Sequence, residues 1–410
     1  MVKVKNMSDL RGAGQLAADA VTGIADLIEA LHQTIGRAAG TPGVPGHQRT
    51  TGVTGIVYRN IRAVSGLVGD SLEAVLGSLV SFLGEQDATP GRETVLAALN
   101  GVLGDYLAAS NNPLGISMQL RRNGTPLLRD DRSFSRAIQE SGGKLALMVH
   151  GACMHDLQWN RQGHDHGAAL AHDLGYLPLY LHYNTGLHIS ENGRAFSELM
   201  EACMHQLSRP IELVIIAYSM GGLVSRSACH YGELAGYNWL KHLRKLVFLG
   251  TPHHGAPLER GGNWVDILLG MSPYSAPFSR LGKIRSSGLT DLRYGNLLDD
   301  DWKGRDRFEY SGDNRAAVPL PDGVQCYAIA GTIVKASSTI GGHLLGDGLV
   351  TVNSALGRHE NADLNLLLPE AHQWVGRDMN HLDLLNRTEV YATIKQWLKE
   401  EENGGNRPDK

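Results

Sequence analysis

A chain of 410 residues has room for one large core or up to three smaller ones, since single cores seldom grow past about 250 to 300 residues. Hydrophobic residues make up 42% and charged residues 20%, the balance of an ordinary globular protein, and a net charge of −4 leaves no basic surplus to hold a nucleic acid. Four cysteines (Cys153, Cys203, Cys229 and Cys326) are widely spaced with no CxxC pair, which argues against a disulfide framework or a cysteine zinc site and predicts reduced, partly buried thiols.

The opening MVKVKNMSDLRGAGQ has two lysines but no apolar core, so no secretory signal is expected. AVSGLVGDSLEAVLGSLVSFL, from Ala63, is broken by Asp70 and Glu73 and is too poor in apolar residues to span a bilayer. The cytoplasm is the expected compartment. Residues 1–112 read as a helical segment, with apolar residues at three- and four-residue spacing in LAADAVTGIADLIEALHQTI, in VYRNIRAVSGLVGDSLEAVLGSLVSFL and in ETVLAALNGVLGDYLAA. Gly/Pro-rich breaks separate them. Such faces are expected to pack on the rest of the chain. Contact with a lipid surface is the weaker reading, because the polar faces are not rich in Lys or Arg.

From residue 113 to about 402 the pattern changes. ISMQLRRNGTPLL predicts a β-hairpin turned at Asn123-Gly124. Short apolar runs then alternate with helical patterns: LALMV (145–149), LPLYLHY (177–183), ELVIIAY (212–218), KLVFLG (245–250), QCYAIAG (325–331) and LNLLL (364–368). That repetition predicts an α/β domain with a mostly parallel sheet covered on both faces. Between Gly250 and Gln325 the connection is far longer than usual, and an insertion at about 256–320, with NWVDILLGM and SPYSAPFSRL, reads as a lid or cap.

The strongest chemical signal is IELVIIAYSMGGLVSRSA, in which a buried strand runs directly into Ser219 and then a helix. A nucleophilic serine needs that sharp turn, which holds its Oγ clear of the backbone at a helix N-terminus. Ala217 and Gly221, two residues to either side, are small enough for the turn to close. Strand 145–149 ends in His150-Gly151, and acyl transfer needs two preorganised N–H donors. The amides of Ala152, after His-Gly, and Met220, after the serine, are the candidates. His150 itself reads as a structural hydrogen-bonding residue. In the order serine, acid, histidine the base comes late, and His381 in DMNHLDLLNR follows the last predicted strand. His343, His359 and His372 have no comparable context, and His253 and His254 come too early. The acid should follow QCYAIAG, where Asp347 sits in LLGDGLV; Asp322 and Asp299–Asp301 are weaker rivals.

The runs HGACMHDLQW, AYSMGG, GTPHHGAP, DGLV and NHLD, in this order over residues 140–400, resemble bacterial lipases and related esterases of the α/β-hydrolase superfamily. The resemblance implies the α/β-hydrolase fold, a triad of Ser219, Asp347 and His381, and an oxyanion hole from Ala152 and Met220. It implies no cofactor. In some of these lipases the Asp of NHLD, here Asp383, binds calcium, but the remaining ligands cannot be matched and no metal is predicted. Tyr218 stands where the family usually has a histidine, and residues 1–112 lie outside the family pattern. The expected function is a serine-dependent carboxylic ester hydrolase acting through an acyl-enzyme on a small-molecule or lipid ester. An acyltransferase, thioesterase or polyester hydrolase on the same scaffold, or a non-catalytic lipid-binding protein, are the alternatives.

Overall fold

A computed structural model describes residues 90–127, 133–207, 209–256, 286–304, 313–335 and 346–399. Residues 1–89 of the N-terminal segment and much of the lid-like insertion, including NWVDILLGM, therefore lie outside the described residues.

The described elements run α1 (Pro90–Ala109), β1 (Gln119–Arg122), β2 (Thr125–Pro126), α2 (Ser133–Glu140), β3 (Lys144–Val149), α3 (His166–Leu174), β4 (Leu177–His182), α4 (Ile189–Met204), β5 (Glu212–Tyr218), α5 (Met220–Ala235) and β6 (Leu243–Leu249). They continue with α6 (Ser287–Asp291), β7 (Gln325–Thr332), α7 (Val352–Ala355), β8 (Gln373–Arg377) and α8 (Thr388–Lys399). The eight strands form one sheet in the order β2-β1-β4-β3-β5-β6-β7-β8. β3 to β8 are all parallel, while β1 joins β4 antiparallel and turns back as β2. Asn123 and Gly124, at φ 52° and 76°, give the hairpin the double left-handed turn that matches strand twist.

The continuous apolar runs are explained by burial on both faces. Leu145, Leu147, Val149, Leu213, Ile215 and Ala217 share one apolar cluster with α1, α4 and α5. The alternate residues Ala146, Met148, Val214, Ile216 and Tyr218 share the other with α3 and α8. A strand alternates its side chains, so each β-run feeds two cores at once. This is the α/β-hydrolase architecture, with the serine turn between β5 and α5 at the carboxyl edge of the sheet.

α1, from the N-terminal segment, is built into the first of those cores. Val95, Leu99, Val102 and Leu107 are fully buried. Gly101 has Cys153 against it so closely that an added Cβ would lie 2.2 Å from the sulfur. Asn100, also fully buried, donates to the carbonyls of Leu96 and Leu114 and accepts from the amide of Ile116, which pins the chain entering β1. Asn100→Ala should cost about 2–4 kcal/mol, because it removes the partner of the buried Leu114 carbonyl and of the half-buried Ile116 amide, and a urea titration should show a lowered midpoint with an unchanged slope. Among the described residues no helix is long and apolar enough to cross a membrane.

One predicted strand is misplaced. LNLLL is not a strand: Ala362–Leu364 forms a 3-10 turn, and Gln373–Arg377 takes the ladder beside β7. Pro369 follows the run and cannot donate to a ladder, and Leu367 is 90% exposed between the buried Leu366 and Leu368. β8 closes one edge of the sheet and is half-exposed, so it lacks the apolar signature of its neighbours.

All four cysteines are buried and none is in a disulfide. Burial pushes the Cys153 and Cys326 thiols up to about 12 and Cys229 well above its ordinary value. Ellman's reagent should therefore find no fast-reacting thiol in the native protein and four after denaturation. Rapid labelling of the native chain would contradict this packing.

Candidate active site

The serine turn is strained, and its neighbours show what holds it. Ser219 has φ 53° and ψ −125°, a backbone conformation that side-chain-bearing residues rarely adopt, and it directly precedes the first residue of α5. Its amide donates to Leu249 O at 2.8 Å, tying it to β6, and its carbonyl accepts from Gly222 at 3.0 Å. A Cβ on Gly221 would fall 2.5 Å from Val149 O and 2.6 Å from His150 O. Only glycine lets the first turn of α5 cross the end of β3 this closely.

The loop after β3 lies on the other side of the turn. A Cβ on Gly151 would sit 3.0 Å from Ser219 Cβ and 3.1 Å from the Tyr218 ring. Ala152 and Met220 are both buried here. The loop is braced by Tyr183, whose hydroxyl donates to His150 O at 2.8 Å and whose ring stacks on His150 at 4.4 Å, and by Thr185 Oγ1, which accepts from Cys153 N at 3.1 Å. Cys153 takes the left-handed φ of 58° that redirects the chain. Burial holds His150 down to about 3, so the ring is neutral, and its Nδ1 faces Gly151 O at 2.9 Å, where it must donate.

His381 and Asp347 meet beside this turn. His381 Nδ1 stands 2.6 Å from Asp347 Oδ2, and His381 N donates to Asp347 O at 3.0 Å. The other carboxylate oxygen, Oδ1, accepts from the amides of Leu349 at 3.0 Å and Val350 at 2.9 Å. With a carboxylate as partner, Nδ1 carries the proton and Nε2 keeps its lone pair. Tyr218 supports the imidazole from below: its ring lies 4.9 Å away and its hydroxyl donates to His381 O at 3.1 Å. Gly250, the residue after β6, lies against the same imidazole; a Cβ there would be 2.9 Å from His381 Cε1. Ser219 Oγ and His381 Nε2 are both buried and neither has a hydrogen-bond partner.

The other sequence candidates are placed elsewhere. His253 and His254 face Arg226 and Arg315. His359 lies 3.7 Å from Asp313. His372 contacts Cys326 O at 3.0 Å. Asp299 pairs with Arg194 and Lys303, Asp301 accepts from the amides of Leu297 and Leu298, and Asp322 is exposed. Asp383 accepts from Asn380 N at 2.9 Å in a capping box. His343 lies outside the described residues.

Sequence reasoning missed a buried ion-pair network behind the loop after β3. Arg121 Nη1 stands 2.8 Å from Glu93 and 3.1 Å from Asp156, and His182 Nδ1 is 3.1 Å from the same Asp156 oxygen. Burial works to raise the Asp156 carboxyl, but His182 and Arg121 outweigh it and hold it at about 2. Glu93, Asp156 and His182 are close enough to share a cation, and the Arg121 guanidinium supplies that positive charge. The partners come from α1, β1, β4 and a loop, so no local motif announces them.

A family model described as a domain of unknown function (DUF7379) matches residues 126–280. No curated protein matches the chain. Among solved structures, the chain is similar to the mature form of lipase BlEst2 from Bacillus licheniformis, at 17% identity and a TM-score of 0.40 over 69% of this chain and 98% of that one. It is similar to lipase B of Aspergillus fumigatus at 11% identity and a TM-score of 0.38, over 67% and 54% of the two chains. It is similar to EstA from Clostridium botulinum at 13% identity and a TM-score of 0.37, over 62% and 87%.

Proposed function

We propose that this chain is a serine-dependent carboxylic ester hydrolase, an esterase or lipase working through an acyl-enzyme. One observation carries the proposal: a serine in a strained strand-to-helix turn next to a buried His–Asp pair, with Ser219 Oγ and His381 Nε2 both left without partners. Buried polar atoms are nearly always bonded, and an unpaired one calls for an explanation, a catalytic role being one.

In the proposed reaction Ser219 Oγ attacks the ester carbonyl while His381 Nε2 takes its proton. Asp347 holds the imidazole in the Nδ1–H tautomer and steadies the imidazolium. The amides of Ala152 and Met220 receive the oxyanion. Collapse of the tetrahedral adduct breaks the ester C–O bond, and His381 gives its proton to the departing alcohol. Water, deprotonated by His381, then releases the acid and restores the serine. No cofactor enters.

Hydrolysis of p-nitrophenyl esters from short to long acyl chains tests the proposal, with a fluorophosphonate probe followed by peptide mass spectrometry as the structural readout. Turnover with the adduct on Ser219 supports it. Neither turnover nor an adduct would point to a non-catalytic protein, and product formation only in the presence of an added alcohol would point to an acyltransferase.

Gly250→Ala offers a finer test. The new methyl would lie 2.7 Å from Leu384 Cδ1 and 2.9 Å from His381 Cε1, so it presses on the imidazole, and φ of 57° adds backbone strain at this position. A shift approaching 1 Å should cost about 10²-fold in kcat with little change in KM. Unchanged kcat would mean that His381 does not act from this position.

A further inference from the structure

A second site lies along α5, beyond the serine turn. A cavity of about 500 Å³ is lined by Arg226 from α5, His253 and His254 from the loop after β6, Arg315 and Val318 from the segment before β7, and Leu366. Neither His381 nor Asp347 lines it.

Its charge does not balance. Arg226 is 4% exposed, and its contacts are the Val318 carbonyl and the neutral His253 ring; Nε has no partner. Burial first, then the positive charge of Arg315, pushes Arg226 down to about 9, which leaves it charged at neutral pH, and among the described residues no carboxylate pairs with it. Arg315 has its own acid, Asp313, at 3.3 Å. Asp322 and Asp363 line the cavity only as exposed residues. A buried guanidinium without a counter-charge is costly, and arginine cannot escape the cost by losing its proton.

The histidines add donors rather than acceptors. Arg226 Nη1 faces His253 Nδ1 at 3.3 Å, and Arg315 Nη2 faces His254 Nδ1 at 2.8 Å. A guanidinium can only donate, so both Nδ1 atoms accept and each neutral ring carries its proton on Nε2. Burial and the two arginines hold both rings below their ordinary range, His254 at about 3. His253 Nε2 is buried without a partner.

We propose that this cavity binds a small oxyanion, the phosphate or carboxylate group of a ligand, with the Arg226 guanidinium as its counter-ion. The size suits a group carried on a small molecule, and the planar guanidinium suits a two-oxygen contact.

The test is thermal unfolding of the full chain in inorganic phosphate, in acetate and in chloride at one pH and ionic strength. Phosphate or acetate should raise the midpoint by about 3 °C over chloride, through binding to the folded state alone, and the more effective anion identifies the group. Arg226→Gln should abolish the difference. Ala317→Asp guards against a misfolded variant: Ala317 is an exposed lining residue, and a carboxylate there should weaken the effect at least tenfold in anion concentration while no internal bond is removed. Equal midpoints in all three salts, or a phosphate effect that survives either substitution undiminished, would overturn the assignment.

Discussion

Ser219→Ala is expected to lower ester turnover by about 10⁶-fold while leaving the protein at least as stable as before. The two halves of that result come from one feature. Ser219 Oγ is buried and makes no hydrogen bond, so its removal orphans no donor or acceptor. Alanine keeps the same φ, and the turn is held by the backbone bonds to Leu249 and Gly222, which the substitution does not touch. The unfolding midpoint should stay level or rise slightly, as it does when an unsatisfied polar atom is taken from a buried site. Chemistry has no such reserve. In the proposed mechanism no covalent intermediate forms without Oγ, and any residual rate comes from binding and the amides of Ala152 and Met220 alone. Circular dichroism and a p-nitrophenyl ester assay on the same preparation check both halves. Full turnover by a folded Ser219→Ala protein would remove Ser219 from the chemistry.

The sequence was most readable where a residue's surroundings are set by its near neighbours. The five apolar runs from LALMV to QCYAIAG are strands within two residues of their expected bounds, because burial on both faces demands continuous hydrophobicity. Asn123-Gly124 was readable because few other residue pairs accept two left-handed conformations in a row. The serine turn announces itself similarly, through the small residues that let α5 pass over β3. Legibility failed at the sheet edge, where β8 needs little hydrophobicity and LNLLL has more than its 3-10 turn requires. It also failed for charges whose partners are distant in the chain. Arg121 meets Glu93 and Asp156 across 28 and 35 residues. Arg226 meets His253 across 27 and the Val318 carbonyl across 92. The one local trace of the second case is an arginine inside GGLVSRSAC, a stretch otherwise made of small and apolar residues. A charge in such a place needs a partner, and the sequence does not say from where.

Asp347→Asn should reduce kcat by about 10⁴-fold without unfolding the protein, and hydrogen-bond direction explains why so isosteric a change does so much. Asp347 uses both oxygens: Oδ1 accepts from two backbone amides and Oδ2 from His381 Nδ1–H. An asparagine can place only one oxygen. Facing the amides of Leu349 and Val350, it turns its NH₂ toward His381 Nδ1, which must then accept, and the imidazole proton moves to Nε2. Facing the imidazole, it sets its NH₂ against two N–H donors, a buried mismatch costing several kcal/mol. The first arrangement therefore prevails. In it Nε2 has lost the lone pair with which, in the proposed mechanism, it would take the serine proton. KM should change little, because no atom that contacts substrate has moved, and the loss should fall on kcat. Proton NMR supplies the independent readout: the far-downfield His381 Nδ1–H resonance of the wild type should vanish in the variant. Turnover within a factor of ten of wild type, with that resonance gone, would mean that turnover does not depend on the tautomer that Asp347 sets.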